Sequence, residues 1–462
     1  DLTNAYLGGS SLVGTLIAYS TLYGATLSGV DLSSQSGWSG VRTGHIRGSP
    51  TLPSGYRLIT GYIVGRDVSL ESADLAGADL SNLFLYGINL RNANLSNANL
   101  TNSDISNAYM LGTVLTGANL TNTYIDPYQY GQCNIRSGNI VGLPSLPSYM
   151  RLINRTLVYR CADLRQADLS NTDLSSIDLY GTNLAGANLS NTILIGANLN
   201  YANLSIANLT GADLSSSTAS YALMTAANLS SAKIMYYANF YGADLSSAYL
   251  ANANLYAINL QNSNLTNAQF ITTKAANADF RGSNATNANF NGSILTTTQF
   301  SNVNLSGATF NNASLNGASF AGSTLNGASM IAASAHTVGF QDTLFFNANL
   351  SNSHFADADF SRSNINNANF ANTNLENVHF NDARISGTNF AGAFWNSTIC
   401  PDGSISNAHG NTCVAYGGTQ TPTPSRTYTQ TRTFTMTATR TTTRTNTPTA
   451  TVTVTIPAAG GK

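Results

Sequence analysis

The ten residues ANLSNANLTN, Ala93–Asn102, decide how this chain is read. They are two five-residue words centred on Leu95 and Leu100. In each, Ala stands two before the centre and Asn one before; Ser or Thr stands one after and Asn two after. Working outward, the same spacing runs through Leu2, Leu7, Leu12, Ile17, Leu22, Leu27 and Leu32, resumes from Leu70 to Ile125, and returns from Leu164 to Trp395. A period of five fits neither the 3.6 of a helix nor the 2 of a flat strand. It suits a chain that turns a corner after each short extended piece and points one large and one small apolar residue into a narrow core. Repeats of this kind grow in one dimension, so the 462 residues do not imply several globular domains.

These words resemble the pentapeptide-repeat family, whose motif is A-[DN]-L-x-x, over residues 1–32, 70–125 and 164–395. The resemblance implies an all-β fold: a right-handed quadrilateral β-helix with four repeats per coil, about 16 coils. At about 4.8 Å per coil, the run at 164–395 would span roughly 55 Å. From Phe240 onward the centres fall on multiples of five, after one extra residue between Ile234 and Phe240. Phe then holds many multiples of ten, among them Phe270, Phe280, Phe290, Phe300, Phe310 and Phe320. Four faces per coil would stack these rings on two opposite faces, with smaller residues on the other two.

The expected organisation is a solenoid start at 1–32 without a cap, a spacer at 33–69, solenoid at 70–125, a second spacer at 126–163, the main solenoid at 164–395, a disulfide-closed cap at 396–418 and a Thr-rich extended tail at 419–462. The two spacers are alike, each with an IR pair, an LPS, a Tyr and an RLI. They look like an LP-x-G-[YW] element of secreted bacterial pentapeptide-repeat proteins, and are expected as a loop plus two short strands protruding from the solenoid. The four cysteines, Cys133, Cys161, Cys400 and Cys413, allow three connectivities. Nearest-neighbour pairing would join Cys133 to Cys161 and Cys400 to Cys413. The segment holding the last two resembles a C-terminal motif of the same secreted proteins. Disulfides imply an oxidising compartment.

Charge narrows the function classes. Only 9% of residues are charged, with 20 Lys+Arg against 21 Asp+Glu and a formal net charge of −1. That balance argues against a nucleic-acid partner, which needs a basic excess, and against an acidic DNA mimic. No apolar run reaches the length of a membrane span. No secretory signal opens the sequence, which starts at Asp1, so a mature secreted product is expected. The five histidines (His45, His336, His354, His379 and His409) fall in no metal or triad motif, and Asp recurs with the repeat rather than as a dyad. The expectation is no catalytic residues, no metal and no cofactor: a protein that is not an enzyme.

From 419 to 455 every odd position is Thr except Ser425. Such alternation puts the threonines on one face of an extended chain. Tyr428, Phe434, Met436, Val452, Val454 and Ile456 on the other face are expected tail contacts. Thr427, Thr429, Thr431, Thr433 and Thr435 are candidate O-glycosylation positions. Asp1, Leu2 and Leu7 are the expected assembly edge. Together these features suggest a structural subunit of an extracellular filament or sheath, a head-to-tail homopolymer whose tail contacts neighbouring subunits. The alternative is a monomeric cell-surface adhesin or carbohydrate-binding rod on a glycosylated Thr-rich stalk, with glycans as partners.

Overall fold

A computed structural model of the chain describes residues 1–127 and 133–414. The tail positions named above, Tyr428 to Ile456 and Thr427 to Thr435, lie outside the described residues.

The ten-residue stretch shows why each position has its residue type. Ala98 and Leu100 both point inward and are fully buried. Asn99 lies between them, facing out, and its amide N–H donates to the Ala78 carbonyl of the coil before (2.9 Å). The Asn99 Oδ1 accepts from the amide (3.2 Å) and hydroxyl (2.6 Å) of Thr101, and its Nδ2 donates to Asp79 Oδ1, twenty residues back (3.0 Å). This local side-chain bond holds the start of the corner. Ser103 N then donates to Leu100 O (3.0 Å), closing a four-residue turn. Its third residue, Asn102, sits at φ 58°. Glycine and asparagine tolerate this left-handed region best, which is why they dominate the fifth place of the word. Within the repeats each coil makes this turn four times, and parallel bridges join residues twenty apart, as Asp74 to Asn94 and Asn94 to Val114.

At several places where Ser or Thr replaces the inner Ala, the buried hydroxyl donates to a centre's carbonyl one coil earlier: Thr113 to Leu90 (2.8 Å), Thr123 to Leu100 (2.7 Å), Thr343 to Phe320 (2.9 Å). The phenylalanines form two ladders as expected. Phe270 stacks on Phe290 (4.7 Å, 9°) and Phe290 on Phe310 (4.8 Å, 6°), while Phe280 stacks on Phe300 and Phe300 on Phe320. Between ladders the rings meet edge to face, as Phe270 and Phe280 do at 5.8 Å. Phe345 and Phe355 depart from this plan and lie on the other two faces. They flank Leu350, where a Phe is missing from its ladder, so ring volume is supplied from the sides.

The rungs do not stop at the spacers. Thr21 pairs with Arg42 and Arg42 with Ser69; Val114 pairs with Arg136 and Arg136 with Asp163. Val41, Ile46, Ile135 and Ile140 keep the inward apolar positions although the repeat words around them are gone. On one face, sixteen rungs therefore stack without a break from Asp74 to Arg384 among the described residues. Only a hairpin departs from each spacer: β1 (Arg57–Ile59) with β2 (Tyr62–Val64), and β3 (Arg151–Ile153) with β4 (Thr156–Val158). Rather than protruding freely, each lies against the solenoid, with Ile63, Val64, Leu157 and Val158 fully buried.

The two hairpin units are copies ninety-four residues apart. Thr60 and Gly61 turn the first with φ 48° and 82°; Asn154 and Arg155 turn the second with φ 45° and 60°. Two successive positive φ values match the right-handed twist of the flanking strands. Ile46 N donates to Gly61 O, and Ile140 N to Arg155 O, both at 2.9 Å. Thr43 Oγ1 accepts from Ile63 N (3.1 Å), and Ser137 Oγ from Leu157 N (2.9 Å). The ladder of Arg42 continues through Ser69 and Asn89, whereas the ladder of Arg136 descends to Asp74. Ser69 and Asp74 are on consecutive faces, so the second unit sits a quarter-turn round the solenoid from the first.

Candidate functional site

The disulfides join Cys133 to Cys161 and Cys400 to Cys413, with Cα–Cα distances of 4.9 and 5.2 Å. The first ties the turn that leads into the second hairpin unit to the turn that leaves it. The second closes a cap in which Ile399 pairs antiparallel with Ile405, Ser406 N donates to Thr398 O (2.9 Å) and a short 3-10 turn spans Ser406–His409. At the other end Leu2 and Leu7 are half-buried; Leu2 N donates to Thr21 O (2.8 Å) and Leu7 N to Thr26 O (2.9 Å). Asp1 is exposed and its carboxylate accepts from the amide and hydroxyl of Thr3. His354 and His379 face outward from rungs, and His336 lies at a corner. Among the described residues, no group of three His, Cys, Asp or Glu side chains is placed to hold a metal, and no helix is long and apolar enough to cross a membrane.

Two surface features carry chemistry that the five-residue word does not require. The first is a tyrosine ladder along one corner. Arg160 lies over the Tyr180 ring (4.2 Å), Tyr180 meets Tyr201 at 5.3 Å, Tyr201 stacks on Tyr221 (5.3 Å, 18°), and Tyr221 meets Tyr241 edge-on at 5.7 Å. Burial, and then the neighbouring Tyr241 and Tyr201, hold the Tyr221 hydroxyl above its ordinary pKa. Tyr201 is 54% exposed, and Tyr236, Tyr237 and Ile206 add further exposed apolar surface on adjoining corners. These tyrosines escape a reading by period because Tyr180 and Tyr241 hold the first corner position and Tyr201 and Tyr221 the second; their spacings of 21, 20 and 20 residues are the available signal.

The second feature is a corner cleft of about 680 Å³ beside the first hairpin. Tyr23, His45 and Tyr62 line it, with Tyr23 and His45 edge to face at 4.9 Å and His45 and Tyr62 at 6.4 Å. Arg42 and Glu71 form an ion pair across it at 3.3 Å, and Tyr62 Oη accepts from Asp74 N (3.3 Å). Beside the second unit a smaller cleft of about 380 Å³ is lined by Arg136, Asp163 and Arg165 but by none of the residues that take the places of Tyr23, His45 and Tyr62. There Arg165 holds Asp163 through two bonds, Nε to Oδ1 (2.8 Å) and Nη2 to Oδ2 (2.7 Å). Burial pushes the Asp163 carboxyl up, but the Arg165 hydrogen bonds and charge outweigh it and leave the pKa below the ordinary value.

A four-sided solenoid of five-residue words, stacked in twenty-residue coils, defines the class of protein. The family description "Pentapeptide repeat region" matches residues 233–310 and 293–370. "Pentapeptide repeats (8 copies)" matches residues 1–33, 69–107, 93–126, 160–194, 172–206 and 207–246. The matches cover more than half of the chain, which therefore belongs to the pentapeptide-repeat family and is a right-handed quadrilateral β-helix. Among solved structures it is similar to HetL, a pentapeptide repeat protein involved in heterocyst differentiation regulation from the cyanobacterium Nostoc sp. strain PCC 7120 (24% identity, 52% of this chain and 94% of that one, TM-score 0.24). It is also similar to Rfr23 from the cyanobacterium Cyanothece 51142 (18%, 22% and 85%, TM-score 0.19). A third is QnrB1, a plasmid-mediated fluoroquinolone resistance protein (15%, 38% and 84%, TM-score 0.20). No curated protein shows a significant match to the chain.

Proposed function

We propose that the chain is a structural subunit of an extracellular filament or sheath and that its role is not catalytic. In this reading, subunits join head-to-tail through their solenoid ends, and the Thr-rich segment 419–462 contacts neighbouring subunits. The observation that supports assembly is an aromatic corner on the side of the solenoid, read as a lateral contact beside the end-to-end ones: exposed Tyr201 and Tyr221 between half-buried Tyr180 and Tyr241, with Tyr237 84% exposed close by. Contiguous exposed apolar patches on soluble proteins mark interaction surfaces, and tyrosine is enriched at such contacts. The two disulfides support an oxidising location outside the cytosol. Repetition supports the polymer as well, since a heterologous contact that does not close builds an open fibre.

Electron microscopy of native material from the extracellular fraction tests this. Fibres with an axial repeat near the length of one solenoid are expected. The combined change Tyr201→Ser, Tyr221→Ser and Tyr237→Ser is expected to remove the lateral contact and thin or shorten them while leaving the monomer folded. Isolated rods in native material at all concentrations would sink the reading.

A further inference from the structure

The two hairpin units supply an internal control. Their frameworks agree: Arg42 and Arg136 on the rungs, Gly44 and Gly138, Gly48 and Gly142, and the RLI strands Arg57–Ile59 and Arg151–Ile153. Thr43 and Ser137 hold the hairpin amides in the same way. Of the residues lining the first cleft, the three rings and Glu71 do not agree. Thr116, Asn139 and Thr156 stand in the second unit where Tyr23, His45 and Tyr62 stand in the first, and Arg165 stands where Glu71 does. The second unit builds the same backbone without the rings, so the fold does not require Tyr23, His45 and Tyr62. Their convergence is nonetheless built. A Cβ on Gly44 would meet Tyr23 Cδ2 and Tyr62 Cε1 at 3.0 Å, whereas at Gly138 it would meet nothing.

We propose that this cleft binds a neutral saccharide, seated on the Tyr23, His45 and Tyr62 rings with its hydroxyl groups on Arg42, Glu71 and Asp74. The cleft lies within the size range of small-ligand sites, with aromatic walls and a few convergent polar groups. Ring faces carry the negative part of a quadrupole and attract the weakly positive C–H face of a pyranose. The Arg42 guanidinium and the Glu71 and Asp74 carboxylates are planar groups that pair with adjacent hydroxyls in two-point fashion. Glu71 neutralises Arg42 and Asp74 remains, so the cleft lacks the positive excess that a phosphate or uronic acid needs. A wholly apolar ligand would leave these polar groups unpaired. The site lies within one copy of the chain, so it stands independently of filament formation.

Calorimetry on the full chain, with cellohexaose, chitohexaose and mannohexaose as neutral probes and a hyaluronan hexasaccharide as the acidic one, tests the site. At least one neutral hexasaccharide is expected to bind. Importing the second unit's residues, Tyr23→Thr with His45→Asn and Tyr62→Thr, is expected to weaken it by about tenfold or more. The single exposed change Glu71→Arg is expected to weaken it too, and Tyr201→Ser with Tyr221→Ser to leave it unchanged. Failure of all three neutral probes, binding of the hyaluronan probe alone, or neutral binding that survives both the triple change and Glu71→Arg would overturn the proposal. So would selection by the cleft of peptides from a random decapeptide library with no saccharide bound.

Discussion

Phe280 and Phe300, twenty residues apart, stack with ring centroids 4.7 Å apart and planes 19° from parallel. That separation equals the rise of one coil, so the same residue type on successive coils is in van der Waals contact throughout. Phe300 also touches Phe290 and Phe310 edge-on. Phe300→Ala is expected to cost about 3–5 kcal/mol. Because each coil couples only to its neighbours, denaturation is expected to split into two steps on either side of coil 300. Hydrogen exchange through a denaturant series reads this out; a single unshifted transition would refute it.

Ser217 and Ser283 occupy the inner small position, yet their buried hydroxyls have no hydrogen-bond partner, unlike Thr113 or Thr343. Ser217→Ala and Ser283→Ala, which restore the common residue of the word, are each expected to raise stability by about 1 kcal/mol. Thr343→Val, which removes a satisfied hydroxyl, is expected to lower it. Thermal melts of the three variants give the comparison.

Ile206 is a β-branched residue at φ 53°, in a corner place where Asn or Gly is usual. Its side chain is 68% exposed, so little packing offsets the backbone strain. Ile206→Asn is expected to stabilise the coil by roughly 1 kcal/mol. A lower melting temperature in the variant would show that the side chain makes a contact worth more than the strain.

The disulfides are expected to act locally. Cys400 and Cys413 are 13 residues apart and Cys133 and Cys161 are 28 apart. Loop closure gives stabilisation of roughly 3 and 3.5 kcal/mol respectively. Removing the first pair is expected to raise exchange in the cap and the last coils alone. Removing the second is expected to loosen the second hairpin unit and leave coils beyond residue 200 protected.

Acid stability follows from the carboxylates. Hydrogen bonds from Ser170 and Ser175 hold Asp168 and Asp173 below their ordinary pKa. Asp163, Asp279 and Asp359 are also lowered, although burial opposes it. A carboxyl lowered by folding is protonated first in the unfolded chain. Its stabilisation is therefore complete above the unfolded value of about 3.9 and disappears as pH falls through the native value. The melting temperature is expected to stay level from pH 7 to about pH 5 and to fall steeply below pH 4. Asp163→Asn is expected to flatten that fall.

Much of the fold was legible because the pentapeptide word is a local rule. Ala98, Asn99, Leu100, Thr101 and Asn102 each answer to one contact repeated every five residues, and the Phe ladders follow from a period of ten in a twenty-residue coil. Nearest-neighbour pairing of the cysteines agrees with the structure. The corner ladder was less legible: Tyr180, Tyr201, Tyr221 and Tyr241 occupy two different places of the word and converge only because each corner spans two residues.

The sequence by itself determined the four-sided solenoid, its outward and inward faces and the stacked rings, since each depends on a repeat that reports its own geometry. Only the tertiary structure decided what happens where the repeat is silent. It carried the rungs through both spacers on Val41, Ile46, Ile135 and Ile140. It set the two hairpin units a quarter-turn apart and brought Tyr23, His45 and Glu71 from three successive coils, with Tyr62 from the hairpin, to one corner. Stacking at a fixed rise turns distances of tens of residues into neighbouring positions, and no pattern within five residues encodes which side chains will meet there.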